Sequence, residues 1–491
     1  MTDSQIFGKL GELKLIGVTG SSTSTSSAPL ILLEGMEGSV REEEVVLVEN
    51  ANGNRILAVC RRGMGVNDNL KIGSYSPGIA YVRSTGSIPS KSKESYYYIL
   101  SFIGVIDGRG IRQNDLIVAP GSKVYSFKGS NINPLELMAN GSCVFKGHLA
   151  KERAWPVPFD LRFASYHIGV FGATGSGKSY LTRHLIIPLL REAGFGVLVL
   201  DWSGMDYAVH FKDKTVRISE FKTEPEALLT YIMERTRRFG YKSDISTLSE
   251  HLEEMIYDQW ENLIKTISDP EELLCSLKEM LINKLNSEQG GQKDKWVNLA
   301  LKRLERYWRK LKPEDIAPLM GKKPIEEAIP KKGDLIVVDM SGVGSNEKLA
   351  FFLSLSEHIM TKISRGEELN IALVIDEAPQ YCPSDPEGLQ SQATDKIKDL
   401  CALGRKHRLC LVLISQGMAG EIGINAAVRR NLNTQFIGQI HPLDIEEAGK
   451  RLSPYGIDPE NLLYLEPGKF YFTGKMNPSP TPLLISFEVN D

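Results

Sequence analysis

The stretch GATGSGKSY, Gly172 to Tyr180, fits G-x-x-x-x-G-K-[ST], with Gly172, Gly177, Lys178 and Ser179 at the fixed places. Glycines at this spacing let successive backbone N–H groups close around a phosphate and deliver it to a helix N-terminus. Gly172, Ala173, Thr174, Gly175, Ser176, Gly177 and Tyr180 would line the phosphates, Lys178 would reach the outermost ones, and Ser179 would hold Mg²⁺. The alternative is a chance glycine-rich turn. Against it, an apolar strand (HIGVF) precedes the loop and a helical pattern follows, ending at the plausible C-cap Gly194.

Such chemistry also needs a carboxylate at the end of a neighbouring strand, and two strands compete for it. LIVVDMSG offers Asp339 and IALVIDEAPQ offers Asp376, but only the second adds an adjacent carboxylate, Glu377. Asp376 is therefore assigned to Mg²⁺ and Glu377 to orienting and deprotonating a water, with Asp339 left as a turn or cap residue. The strand LCLVLISQG ends in Ser415-Gln416, where Gln416 could touch the γ-phosphate or be a solvated loop residue. The basic LGRKHR turn before it offers Arg405 either as a finger for a neighbouring subunit or as an ordinary surface cation. DWSG from Asp201 matches D-x-x-G of GTPases, yet no N-K-x-D for guanine follows.

These motifs must be positioned by two kinds of element. Residues 30 to 128 read as short strands with turns, including a hairpin signal at Asn52-Gly53, and suggest a small β-barrel or β-sandwich. GSSTSTSSAP, Gly20 to Pro29, reads as a loop. From ASYHIGVFG, Ala164 onward, the texture becomes apolar strands alternating with helices, as in a parallel α/β sheet. Its strands are expected at His167–Phe171, Gly196–Leu200, Asp334–Asp339, Ile371–Ile375 and Cys410–Ile414. Between Glu224 and Lys322 amphipathic helices replace strands. In WVNLALKRLERYWRKLK, Val297, Leu301, Leu304, Trp308 and Leu311 form one stripe while Lys302, Arg303, Arg306, Arg309 and Lys310 cover other faces. That charged face is either solvated or a contact for nucleic acid or a neighbouring subunit.

The order HIGVFGATGSGKS, LVLDWSGMDY, a helical insert, LIVVDMSG, LVIDEAP, GRKHRLCLVLISQ and LYLEPGKFYFTG, after a β-domain, resembles the archaeal HerA family of the HerA/FtsK ATPases across nearly the whole chain. The resemblance implies a RecA-like P-loop core with a helical insertion, preceded by a small N-terminal β-barrel. The expected domains are 1–155 for the barrel, 156–222 and 326–491 for the two parts of the core, and 223–325 for the insertion. It also implies a homo-hexameric ring that hydrolyses ATP with Mg²⁺ to translocate double-stranded DNA, and a NurA-type nuclease as partner in end resection. Lys178 and Ser179 would bind nucleotide and metal, Asp376 and Glu377 would form the acidic pair, Gln416 would be the sensor, and Arg405 would act in trans. The chain departs from the pattern at Tyr166-His167, where relatives often carry Arg-His, at Met205-Asp206, and at Pro379.

Composition narrows the alternatives. With 491 residues and a net charge of −3, the whole surface gives no case for nucleic-acid binding, so any such contact must be a local basic lining. Six cysteines without a CxxC pair read as reduced core thiols, and eight histidines without HExxH give no zinc pattern. The N-terminus MTDSQIFGKLGELKLIG lacks a signal-peptide pattern, and no apolar run approaches a membrane span, so no membrane anchor and a cytoplasmic location are expected. A secretion- or conjugation-type pump sharing this core, and a nucleotide-dependent switch, remain as competing readings.

Overall fold

The computed structural model describes residues 13–71, 77–88, 94–107, 110–139, 141–243, 246–287, 294–420 and 422–489. Most of the N-terminal segment weighed for a leader lies outside them. The chain divides into two compact units: residues up to Phe163 with Gly172–Leu185 and Thr434 onward, and Ala164–Phe171 with Ile186–Asn433.

In the first unit, strands β1 (Lys14–Thr19), β2 (Ser27–Leu32), β3 (Val45–Glu49), β4 (Arg55–Asn67), β5 (Glu94–Asp107) and β6 (Lys123–Ser126) pair antiparallel in the order β2-β1-β6-β3-β4-β5. A further β2–β5 pairing closes the ring, so this is a six-stranded barrel, not a sandwich, with the short strand Gly110–Arg112 added along the end of β5. Alternate residues fill it: Val46 and Val48 of β3, and Ile56, Ala58 and Cys60 of β4, point into one core with Ile16, Leu30, Leu100 and Val124. The predicted Asn52-Gly53 turn joins β3 to β4, but only Gly53 takes positive φ (82°), while Asn52 Oδ1 accepts from Asn54 N at 3.0 Å. The serine-rich segment bends through residues 20–26 and its last three residues open β2. Ser24 Oγ accepts from Ser27 N at 2.9 Å, and β2 starts at Ser27 because alternation of buried residues resumes there.

The second unit holds a fully parallel sheet of β7 (Ile168–Phe171), β8 (Gly196–Asp201), β9 (Thr215–Arg217), β10 (Leu335–Asp339), β11 (Ile371–Ile375) and β12 (Leu409–Ser415), in the order β9-β10-β8-β11-β12-β7. Five of the six strands fall where apolar runs predict them. The sixth, β9, is a three-residue edge strand, Thr-Val-Arg, too short and polar to stand out. β8, β11 and β12 are buried at every position, the mark of strands covered on both faces. Between β9 and β10 the chain runs through helices Pro225–Arg235, Thr247–Thr266, Pro270–Ser287 and Asp294–Trp308.

Back in the first unit, β13 (Thr434–Ile437), β14 (Phe470–Gly474) and β15 (Leu483–Ser486) form an antiparallel sheet ending on His148–Leu149. Among the described residues no helix is long and apolar enough to cross a membrane. Four cysteines (Cys60, Cys382, Cys401 and Cys410) are buried and none is in a disulfide; burial pushes the Cys401 thiol up to about 12.

One buried cation ties the barrel to the C-terminal segment of its own unit. Arg61, 1% exposed, pairs with Glu43 at 3.1 Å and donates to Tyr455 O at 2.6 Å, Thr481 Oγ1 at 2.7 Å and Pro482 O at 2.5 Å. Removing Arg61 leaves Glu43 buried with only the Tyr471 hydroxyl, at 3.3 Å, as a partner, in a setting where burial already pushes its carboxyl up. Arg61→Ala is expected to lose roughly 3–5 kcal/mol of stability, read as a lowered midpoint in denaturant melts. Unchanged stability would show that Arg61 does not hold the two segments together.

Candidate functional site

In the first unit the predicted phosphate loop is a loop whose geometry only glycine permits at two points. Gly175 and Gly177 sit at φ 82° and 96°, and a Cβ on Gly177 would come within 3.1 Å of Gly468 N. Two C-terminal segments hold it: Ala173 N donates to Gln439 O at 2.6 Å, and Gly468 N donates to Ser176 O at 2.9 Å. Lys178 Nζ folds back onto Gly172 O and Ala173 O at 2.8 and 3.0 Å, so its charge stays at the loop. Among the described residues Ser176 Oγ is buried with no hydrogen-bond partner, a hydroxyl suited to an incoming anion. The helix opens at Lys178, passes through a π-turn at Thr182–Ile186, and ends at Glu192 before Gly194 (φ 85°). Pro188 has no N–H to continue the regular ladder, which accounts for the wider turn before it. Tyr180 is exposed and lies under the Arg183 guanidinium at 4.5 Å.

In the second unit the carboxylates gather at the C-terminal ends of β8 and β11, adjacent parallel strands. Asp201, Asp206 and Asp376 bring one oxygen each within 4.8 Å of one another. Asp201 shapes the loop: its carboxylate accepts from Gly204 N at 3.0 Å, Tyr207 N at 2.8 Å and Ala208 N at 2.9 Å, turning SGMDY back over the strand end. Gly204 is at φ 74° with Asp339 Oδ1 only 2.4 Å from a Cβ position, so no side chain fits that turn. Asp339 itself accepts from Ser341 N at 2.8 Å, the turn role expected of it. Burial, then the charges of Asp206, Glu377 and Asp201, push the Asp376 carboxyl well above the usual carboxylate range. A divalent cation relieves that crowding, and hard carboxylate oxygens suit Mg²⁺. Sequence reasoning noticed Asp206 only as a departure from a family pattern. The available signal was its place just past the end of a strand next to the DEA strand.

Glu377 follows at φ 49°, left-handed and uncommon for a residue with a Cβ. That backbone turns its side chain to Gln416, whose Nε2 donates to Glu377 Oε1 at 2.8 Å. The structure thus joins the predicted base and the predicted sensor directly. Ser415 Oγ, one residue before, donates to Gly417 O at 2.5 Å and fixes the turn that presents Gln416.

Arg405 lies elsewhere. It is exposed before the N-terminal end of β12, its guanidinium 4.5 Å from the Tyr166 ring. A seven-residue strand, roughly 20 Å, separates it from Gln416. Within one chain it cannot serve the carboxylates. His167, beside Tyr166, is buried at φ 64°, with Nε2 2.9 Å from Cys401 O and Nδ1 accepting from Leu411 N at 3.1 Å. The ring is a pin between β7, β12 and the preceding helix, and burial lowers its pKa to about 4.

Residues 144–359 match the family described as "Helicase HerA, central domain". No curated protein matches the chain. Among solved structures, VirB4 of Thermoanaerobacter pseudethanolicus aligns with a TM-score of 0.51 at 16% identity, over 72% of this chain and 98% of that one. That likeness shows the shared fold. The plasmid coupling protein TrwB with the ATP analogue ADPNP (TM-score 0.46, 14% identity, 73% and 92%) aligns more loosely. So does the genome-packaging NTPase B204 of Sulfolobus turreted icosahedral virus 2 (0.33, 13%, 66% and 98%).

Because His167 is neutral in the fold, the unfolded chain takes its proton first as pH falls from 6.5 to about 4. Stability should fall across that window by up to about 3 kcal/mol from this group. In thermal melts the advantage of the native chain over His167→Asn should shrink between pH 7 and pH 4. A gap that stays constant would mean His167 titrates normally.

Proposed function

We propose, for a chain that belongs to the HerA family through its central domain, an ATP-driven, ring-forming translocase of double-stranded DNA. Its place would be in DNA end resection, with a NurA-type nuclease as partner and a cytoplasmic site of action. The observation that carries the reading is the Glu377–Gln416 hydrogen bond beside the Asp201, Asp206 and Asp376 carboxylates: a base, a group able to respond to its surroundings, and an acidic set together at strand ends.

In this reading the loop Gly172–Ser179 takes the phosphates through its backbone N–H groups, and Lys178 exchanges its carbonyl partners for phosphate oxygens. Asp376 with Asp206 and Asp201 would hold Mg²⁺, which when bound would supply positive charge to offset that of a polyphosphate; by its place in the loop motif Ser179 is the hydroxyl suited to the same metal. Glu377 aligns a water and accepts its proton while Gln416 fixes the carboxylate's orientation. Arg405, far from the acidic set of its own chain, would reach the nucleotide of a neighbour, which makes hydrolysis depend on a homo-hexamer.

Steady-state ATP turnover should rise several-fold with long linear duplex DNA, and Lys178→Ala and Glu377→Gln should abolish it. Gln416→Ala should cut turnover by about tenfold or more with nucleotide affinity nearly unchanged. Hydrolysis indifferent to DNA would overturn the DNA motor and favour a pump for protein. Turnover surviving both loop and acid substitutions would overturn the site itself.

A further inference from the structure

A second concentration of chemistry lies in the helical segment, away from the strand ends. From Asp294 to Lys312 the chain carries seven basic and two acidic residues, within a protein whose net charge is −3. On the helix Asp294–Trp308, Val297, Ala300, Leu304 and Trp308 are buried. Lys302 and Arg306, and Lys310 just beyond the helix, follow at i, i+4 and i+8 on the opposite side, about 6 Å apart along the axis. None of these three is paired with a carboxylate among the described residues. Three cations rest on tyrosine faces: Arg303 lies 4.1 Å from the Tyr241 ring centroid, and Arg306 and Lys310 lie 5.6 and 4.7 Å from that of Tyr307.

A strained turn adds to the row. Arg237, Arg238, Phe239 and Gly240 are four consecutive left-handed residues, at φ 48°, 50°, 51° and 76°. The run drives Phe239 into the core, where it stacks on Trp308 at 6.4 Å and 9°, and lays Gly240 against Tyr307, 2.5 Å from a Cβ position to the hydroxyl. It also brings Arg237, exposed and without a carboxylate partner among the described residues, beside Lys310, whose charge is disfavoured by burial and by Arg237 and Arg306. Folding has gathered like charges at a conformational cost, and among the described residues no carboxylate pairs with Arg237, Lys302, Arg306 or Lys310.

We infer that this face, built from Arg237, Lys302, Arg306 and Lys310, binds the phosphate backbone of duplex DNA as a contact separate from the nucleotide-binding residues. It rests on the DNA reading above and adds a place to it. A cation every 6 Å or so on a rigid helix suits a phosphate lattice, and stem-packed, tyrosine-stacked cations lose little freedom on binding. The contact is electrostatic and reads no sequence.

The test is fluorescence anisotropy of a labelled duplex with the full chain across a range of salt concentrations, comparing the native protein with the triple variant K302Q/R306Q/K310Q. The three sites lie on the solvent side, and thermal melts check folding. The slope of log affinity against log salt should become shallower by about 2 to 3, with affinity at low salt about tenfold or more weaker. DNA-independent ATP turnover should not change, and Arg306→Lys should retain binding. Native binding that the triple variant reproduces in affinity and slope overturns this inference alone. Absence of any duplex binding by the native chain overturns the DNA reading with it. Displacement of the duplex by polyglutamate as effectively as by unlabelled DNA of equal charge overturns the inference in favour of an acidic protein partner.

Discussion

The central strands of the second unit's parallel sheet are covered on both faces, and that burial confines charged side chains to the strand ends. β8, β11 and β12 are buried along their whole length, so ionisable groups on these strands are pushed to their ends. At the C-terminal ends this yields Asp201, Asp376 and Glu377 on neighbouring strands. The carboxylates repel, and burial raises the cost of keeping Asp376 charged. Such crowding persists only where the surrounding backbone overdetermines it, here through the three N–H groups held by Asp201 and the left-handed Glu377. A cation is the natural complement of that arrangement.

The same burial explains the other end of the sheet. His167 is admitted to the interior only because both ring nitrogens are satisfied and the ring is neutral. Arg405 remains outside on Tyr166. Acidic groups thus stand at one end of the strands and a stacked arginine at the other.

Much of this was legible in the sequence, for physical reasons. Strands buried on both faces are continuous apolar runs, so five of the six parallel strands could be read directly; the edge strand Thr215–Arg217 carries no such run. The phosphate loop is legible because backbone geometry demands glycine at fixed spacing. Barrel and sandwich share the same alternation, and only the β2–β5 pairing separates them, a long-range fact that no local pattern encodes. Asp206 was hidden because its position depends on a loop folded by Asp201. The left-handed run at Arg237–Gly240 was invisible for a related reason: three of its residues have side chains, and tertiary packing of Phe239 on Trp308 overrides their local preference.

The central claim is that Asp206 and Asp376 hold one divalent cation together. The direct measurement is Mn²⁺ binding by electron paramagnetic resonance, in the presence of a non-hydrolysable ATP analogue, for the native chain, Asp206→Asn and Asp376→Asn. Both substitutions should weaken Mn²⁺ by about tenfold or more while the analogue still binds. Native affinity in Asp206→Asn would contradict the account and reduce Asp206 to a loop residue.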